Sequence, residues 1–104
     1  MGLFDTAHTN STESEMVILE ATPILKAMAN ENRLRILCLL QEGEQSVSEL
    51  NAKLELSQSA LSQHLAVLRR EGLVSTRRAS QTIYYSLKGE HAKAVLKTLG
   101  TLQG

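Results

Sequence analysis

Cysteine, proline and tryptophan are scarce in this chain of 104 residues, which has one cysteine, one proline and no tryptophan. The single Cys38 excludes a disulfide within the chain and fits a reducing compartment, so we expect a cytoplasmic protein. Aromatic residues make up only 3% of the chain, so the core must be built from aliphatic side chains and methionine. No stretch approaches the ~20 apolar residues that span a bilayer, and no signal peptide is visible, so we expect no membrane partner.

Motifs for catalysis and cofactor binding are also missing. The chain has no glycine-rich phosphate loop, no cleft-like pair of carboxylates and no Ser/His/acid set within a supporting motif. Ser62 and His64 are close in sequence, but at about 100° per residue they lie about 160° apart around a helix. We therefore expect neither an enzyme nor a bound cofactor.

Length and charge favour one small domain with an uneven surface. A domain of this size buries only part of its apolar surface, so we expect a partner chain. The formal net charge is zero, but residues 1–56 carry four Lys/Arg against nine Asp/Glu, a net of −5. Residues 57–81 carry four Arg against one Glu, a net of +3, and residues 82–104 carry three Lys against one Glu, a net of +2. A basic patch matters more than the total charge for phosphate binding, although short windows often drift by this much.

Hydrophobic periodicity predicts four helices, a β-hairpin and a last helix. Residues 1–11 are polar and aperiodic, so we expect a disordered N-terminal arm before one folded domain over residues 12–104. Pro23 interrupts the first helix. Either Thr22 caps a fresh helix with Pro23 at its first position, or one longer helix kinks there.

Capping residues mark where the next three helices begin. Asn30 is predicted as the N-cap of the second helix, and Ser46 with Glu49 has the spacing of a capping box for the third. Ser57 is predicted to cap a fourth helix that stops at Gly72. After that glycine, "LVSTRRA" and "TIYYSL" alternate in polarity around the turn "SQ", which predicts a hairpin with basic residues near its tip.

The fourth predicted helix, "LSQSALSQHLAVLRREG", threads small and amide side chains through a leucine pattern. Its core side is defined by three leucines, Leu61, Leu65 and Leu68. The opposite side, about 140–200° away, holds Ser59, Gln63, Ala66 and Arg70. That profile suits the major groove of DNA, because Gln bonds bidentately to adenine and Ser bonds to several base edges. The alternative is a plain amphipathic surface helix rich in Ser and Gln.

Neighbouring segments favour the DNA interpretation. A short helix joined to the fourth by the tight turn "LELS" completes a helix-turn-helix. Arg77, Arg78 and Gln81 sit at or beside the hairpin tip, where a wing lies along the DNA backbone or in the minor groove. The alternative for the two arginines is a solvated loop. His64 falls at the edge of the apolar side of its helix, so we expect it to pack or to contact a phosphate.

Three segments, "LKAMANENRLRILCLL", "SVSELNAKLELSQSALSQHLAVLRREGLV" and "TRRASQTIYYSL", resemble the ArsR/SmtB family of bacterial winged-helix repressors, above all the branch that contains HlyU, BigR and NolR. The resemblance covers about residues 24–100 and implies a mainly α winged helix-turn-helix in the order α-α-α-α-β-β-α. It further implies a homodimer, joined through the first and last helices, that binds a promoter palindrome, usually as a repressor. The positions it assigns to DNA are Ser57, Gln58, Ser59, Ser62, Gln63, Arg77, Arg78 and Gln81, to which the helical wheel adds Arg70.

The metal sites of this family lack their ligands here. The site in the third helix needs cysteines in a local "CVC", where this chain has Ser46, Val47 and Ser48. The site in the last helix needs several His and acidic ligands, and only His91 is present. We therefore expect no metal sensing.

The branch offers a thiol switch as an alternative function. Several members pair a cysteine in "ILC" with a second one near the C-terminus. Cys38 matches the first, but the second falls at about Gly104, so no bridge can form. Cys38 alone could be sulfenylated, persulfidated or glutathionylated, whereas a cysteine on an apolar helix face is usually inert core, which we expect here.

Two further alternatives stay open. A dimer that displaces another DNA-binding protein, an anti-repressor, would use the same surface as a repressor. A winged helix that binds only proteins would tend to carry acidic or apolar residues on the face that holds Ser, Gln and Arg here.

Overall fold

Five helices and a small antiparallel sheet make up residues 11–102, the part of the chain that this computed structural model describes. The helices are α1 (Ser11–Met28), α2 (Glu31–Gln41), α3 (Val47–Lys53), α4 (Gln58–Arg70) and α5 (His91–Thr101). The strands are β1 (Gln45–Ser46), β2 (Val74–Ala79) and β3 (Thr82–Leu87), in the spatial order β1-β3-β2. The predicted class, mainly α with a β-hairpin wing, is confirmed. The predicted arm lies outside the described residues except for Ser11, the first residue of α1.

α1 runs through its proline without a break. Pro23 has no N–H to donate to the carbonyl four residues earlier. One residue before it, the Thr22 hydroxyl donates to the carbonyl of Ile18 at 2.6 Å, inside the helix. The alternative of one longer helix is confirmed, and the alternative of Thr22 as a fresh N-cap is wrong.

The predicted caps of α2 and α3 are present. The side-chain oxygen of Asn30 accepts the backbone N–H of Arg33 at 3.0 Å. Ser46 and Glu49 satisfy each other reciprocally, with the Ser46 hydroxyl accepting the Glu49 N–H at 3.1 Å and the Glu49 carboxylate accepting the Ser46 N–H at 2.8 Å. These bonds satisfy N–H groups that a helix start otherwise leaves unpaired.

The hairpin forms with the predicted turn. β2 and β3 pair from Val74↔Leu87 to Ala79↔Thr82. β1 adds to the far side of β3, with Gln45 opposite Tyr85 and Ser46 opposite Tyr84. This strand was not predicted, because two residues carry no measurable alternation.

The core is aliphatic, as expected from the scarcity of aromatic residues. It joins all five helices to the sheet, and its buried members are Ala27, Met28, Ile36, Leu37, Leu40, Leu50, Leu54, Leu61, Leu65, Leu68, Leu73, Val74 and Ala92. Within residues 11–102, six large apolar side chains stay exposed, and all lie on α1 or at the end of α5. We call this set the apolar face, and it wraps around α1, where Met16 and Leu25 lie about 180° apart: Met16, Ile18, Leu19, Leu25, Leu99 and Leu102.

The expectation that Cys38 belongs to the core is wrong for this chain, because its side chain is exposed. α2 is apolar over so much of its circumference that the pattern alone does not show which arc is buried. The buried arc is centred on Ile36, Leu37 and Leu40, and Cys38 points about 155° away from that centre. The thiol borders a shallow apolar cleft lined in part by Leu34.

Candidate nucleic-acid interface

The helix-turn-helix consists of α3, residues 54–57 and α4, and both ends of α4 are fixed locally. At its start, the Ser57 hydroxyl accepts the N–H of Ala60 at 3.1 Å, as predicted for an N-cap. At its end, Gly72 takes a left-handed conformation, with φ at +74°. The N–H groups of Gly72 and Leu73 then bond back to the carbonyls of Arg69 and Leu68 at 3.0 and 2.9 Å, which is a Schellman motif. The sharp stop sets where the wing begins.

The orientation of α4 follows from its three leucines. Leu61, Leu65 and Leu68 are at most 2% exposed, so the helix cannot rotate without removing them from the core. The solvent side of α4 is exposed, as predicted for Ser59, Gln63, Ala66 and Arg70. We call it the outer face of α4, and it consists of Gln58, Ser59, Ser62, Gln63, Ala66, Arg69 and Arg70.

Most polar side chains on this face are free to bind. Within residues 11–102, the side chains of Gln58, Ser62 and Gln63 make no hydrogen bond. The Ser59 hydroxyl lies 3.4 Å from that of Ser57, which also serves as the helix cap. Free amides and hydroxyls on a rigid helix are the groups that read base edges in a major groove.

Of the four arginines in residues 57–81, two form ion pairs and two do not. Arg70 donates to Glu71 at 3.0 Å, and Arg77 is paired with Glu44. Arg69 and Arg78 make no ion pair in the described part of the chain, so their charges are not neutralised. Arg69 was missed by the sequence reasoning. Its angle on the helical wheel, about 80° from Leu61 and next to Ser62, would have revealed it.

One open cleft lies between α4 and the hairpin, and Arg69 lines it. Its walls include Ser62, Ala66 and Arg69 from α4, and Ile83 and Tyr85 from β3. Arg78 is the cross-strand partner of Ile83, so it projects from the same side of the hairpin as the residues that line the cleft. Arg69 thus adds an unpaired charge to the wall of the cleft, and Arg78 adds one to the side of the hairpin that faces the cleft. Gln81 is exposed in the turn.

Arg77 projects from the other side of the hairpin and is held there. Its Nε and Nη2 donate to the two carboxylate oxygens of Glu44 at 3.1 and 2.7 Å. Its guanidinium lies 4.6 Å from the centre of the Tyr84 ring. The hydrogen bond from Arg77 lowers the pKa of Glu44, and the same bond raises the pKa of Arg77. Both groups are therefore ionised at neutral pH.

His64 supports α4 from its buried edge. Its Nδ1 lies 3.3 Å from Nη1 of Arg33, a side chain that also donates to the carbonyl of Ala27 at the end of α1. Because an arginine can only donate, Nδ1 must accept and the ring proton must sit on Nε2. Burial, and then the charge of Arg33, lower the pKa of His64. The packing role expected for His64 fits this position.

Metal and membrane features are both absent from the part of the chain that the structure describes. Between residues 11 and 102, no three His, Cys, Asp or Glu side chains come together in a way that could hold a metal ion. None of the helices α1 to α5 has the length and apolar character needed to cross a bilayer.

Comparison with known proteins gives consistent matches. The family described as "Bacterial regulatory protein, arsR family" matches residues 30–76. The transcriptional activator HlyU of Vibrio cholerae is 54% identical over 96 residues, which cover 92% of this chain and 89% of HlyU. The biofilm growth-associated repressor of Agrobacterium fabrum is 44% identical over 80 residues, covering 77% of this chain and 68% of the repressor.

Solved structures agree with the sequence matches. Reduced HlyU from Vibrio cholerae has a TM-score of 0.81 at 55% identity, covering 88% of this chain and 96% of the other. NolR from Sinorhizobium fredii has a TM-score of 0.82 at 45% identity, covering 91% of this chain and 95% of the other. The chain therefore belongs to the ArsR family of bacterial regulatory proteins and is a DNA-binding transcriptional regulator, not an enzyme.

Proposed function

We propose that this protein is a homodimeric repressor that binds a promoter palindrome, with α4 in the major groove and the β2–β3 hairpin, the wing, beside it. The outer face of α4 carries this proposal. It presents unpaired amides and hydroxyls on a helix whose rotation is fixed by three buried leucines. Amides and hydroxyls on a rigid helix match the hydrogen-bonding groups of base edges on the floor of a major groove better than they match a protein surface.

Individual side chains take different roles in this complex. Gln58, Ser59, Ser62 and Gln63 read base edges, because they are exposed near the N-terminal half of α4. Ser57 holds the helix start, whose free N–H groups face a phosphate. The backbone contacts come from charged or amide side chains around the cleft and the turn: Arg69, Arg70, Arg78 and Gln81.

The homodimer is supported by the apolar face. Its six large side chains are 43–77% exposed in a single chain, which is a large apolar area for a small protein to leave in water. A second copy that packs the same face against it would bury these side chains with twofold symmetry. Two α4 helices related by that axis would meet half-sites about one DNA turn, roughly 34 Å, apart. Such a protein would work in the cytoplasm, where the promoter is.

The proposed direction of regulation rests on where such a dimer would bind. A dimer on a promoter blocks polymerase, so we propose repression. The relatives reported above include one named an activator and one named a repressor, which fits a surface that can also displace another protein from DNA. A reporter gene under the bound promoter, with and without this protein, measures the sign directly: lower expression with the protein supports repression.

The DNA proposal is tested by identifying bound promoter fragments genome-wide and titrating one of them by fluorescence anisotropy at several salt concentrations. We expect a steep loss of affinity with salt and tighter binding to the palindrome than to a scrambled duplex. Equal binding to both duplexes would contradict a sequence-specific role for the outer face.

A second candidate function, a thiol-responsive repressor, is favoured by the exposure of Cys38. An accessible thiol can be oxidised or persulfidated without unfolding the protein, unlike one in the core. Operator affinity of Cys38→Ser and of the parent should be compared before and after treatment with peroxide and with polysulfide. Loss of affinity in the parent alone supports a switch, and equal affinity under all conditions rules it out.

A further inference from the structure

One row of side chains crosses all three strands of the sheet. Arg77 of β2 pairs with Tyr84 of β3, and Tyr84 pairs with Ser46 of β1. Glu44 immediately precedes β1. The side chain of Arg77 reaches over the Tyr84 ring and ends on both carboxylate oxygens of Glu44. The interaction therefore links the outer strand of the wing to the loop on the opposite edge of the sheet.

The geometry is specific even though the pair is partly exposed. Two parallel N–H···O bonds fit the arginine fork to the carboxylate, and the ring below adds a cation–π contact. The side chains of Arg77 and Glu44 are 56% and 35% exposed, so water and salt weaken the attraction. The pair is better suited to fixing an orientation than to stabilising the whole fold.

The outer part of the wing is the part that such a restraint can hold, because Val74 and Leu87 pack only its base into the core. A two-stranded hairpin is only marginally stable by itself, and β1 supports β3 at just two residues, opposite Tyr84 and Tyr85. The tip, beyond Arg78 and Ile83, extends past that support. The segment at the other end of the pair leads into Ser46, the cap of α3. A link between Arg77 and Glu44 thus sets the position of the wing relative to the helix-turn-helix.

We infer that Glu44 and Arg77 are positioning residues that hold the wing at the spacing from α4 at which Arg78 meets the DNA backbone, and that Arg77 does not itself contact a phosphate. The inference rests on the proposed function for its effect on DNA. The opposite arrangement is that Arg77 binds a phosphate in the complex and Glu44 competes with DNA for it. The two arrangements predict opposite effects of one substitution on operator affinity.

Glu44→Gln is that substitution, because it removes the carboxylate and frees a cation beside the wing. A positioning role predicts operator affinity about fivefold weaker, the upper range for a partly exposed pair, with the salt slope unchanged. It also predicts faster amide hydrogen exchange in β3 of the free protein. Tighter binding with a slope steeper by about 1 would overturn the inference.

A charge swap supplies a second, independent readout. Arg77→Glu alone should weaken operator binding and speed exchange in β3. The double variant with Glu44→Arg restores the pair in the reverse orientation, so it should recover most of both properties. If Arg77 contacted a phosphate, the acidic residue left in the wing would keep binding weak even with the partner swapped, and that result would overturn the inference.

Arg78→Ala serves as the matched control within the same strand. It should weaken binding and lower the salt slope while leaving hydrogen exchange in β3 as in the parent. If the parent binds no specific DNA, the proposed function fails, and hydrogen exchange still tests whether Glu44 and Arg77 hold the wing: faster exchange in Glu44→Gln supports that role, and unchanged exchange overturns it.

Discussion

The outer face of α4 and the apolar face of α1 and α5 are both exposed, but they are built from opposite chemistry. The first offers amides, hydroxyls and arginines, whereas the second offers methionine, isoleucine and leucine. Water solvates the first at no cost and the second only at a cost. The difference teaches that two exposed surfaces of opposite chemistry fit the two partners proposed above, nucleic acid at the first and a second copy of the chain at the second.

The largest expected effect comes from breaking the apolar face alone. Leu19 is 69% exposed, so Leu19→Glu leaves the core intact and places a charge in the proposed dimer interface. We expect monomers by analytical ultracentrifugation and a loss of operator affinity of about 100-fold, because two linked half-site contacts become one. Ala52→Glu adds the same charge on α3, outside the apolar face, and should remain dimeric. A dimeric Leu19→Glu protein with parental affinity would contradict this use of the face.

A smaller effect is expected from breaking the outer face alone. Gln63→Ala removes an unpaired amide and should cost about 1–3 kcal/mol of operator affinity through loss of a base contact. The protein should stay dimeric. Gln41→Ala is the matched control, since Gln41 is also exposed but lies at the end of α2. Unchanged operator affinity in Gln63→Ala, measured by anisotropy, would remove this residue from the interface.

The basic part of the outer face can be separated from its base-reading part. Arg69→Ala should weaken binding to specific and scrambled duplexes alike and reduce the salt slope by about 1, because Arg69 carries an unpaired charge beside the cleft. Arg35→Ala, which removes an exposed arginine paired with Glu31 on α2, is the control and should leave the slope unchanged. A sequence-dependent loss in Arg69→Ala would instead indicate a base contact.

The smallest expected effect concerns His64, which supports α4 from its buried edge, and should leave the outer face and the apolar face intact. Because the pKa of His64 is lowered by burial and by Arg33, the unfolded chain binds a proton more readily than the folded one. The folded state is therefore favoured above the ordinary histidine pKa of about 6.5 and loses stability as the pH falls below it.

Thermal unfolding between pH 5 and 7 checks this sign. His64→Gln should show a flatter dependence of melting temperature on pH than the parent does. If the melting temperature of His64→Gln depended on pH as steeply as that of the parent, the pH dependence would come from other groups.

Features encoded by neighbouring residues were predictable from the sequence. Ser57, Gly72 and the leucines of α4 act within a few residues of one another, so their pattern defines the helix, its ends and its buried side. The hairpin was predicted for the same reason, since "SQ" marks the turn between two alternating segments.

Features that depend on contacts between distant residues were not predictable. Glu44 and Arg77 are 33 residues apart, and nothing local indicates that they meet. The exposure of Cys38 was also hidden, because α2 is apolar around most of its circumference and only the packing of its neighbours selects the buried arc. β1 exists because β3 lies beside it, not because of its own two residues.

The assignment of the outer face of α4 to DNA is tested most directly by following side-chain amide resonances during titration with the operator duplex. The NH₂ signals of Gln58 and Gln63 should shift and saturate at one duplex per dimer, while the signal of Gln41 stays in place. Saturable binding that shifts the resonances of Gln41 or of the apolar face, but not those of Gln58 and Gln63, would contradict the assignment of the outer face to DNA.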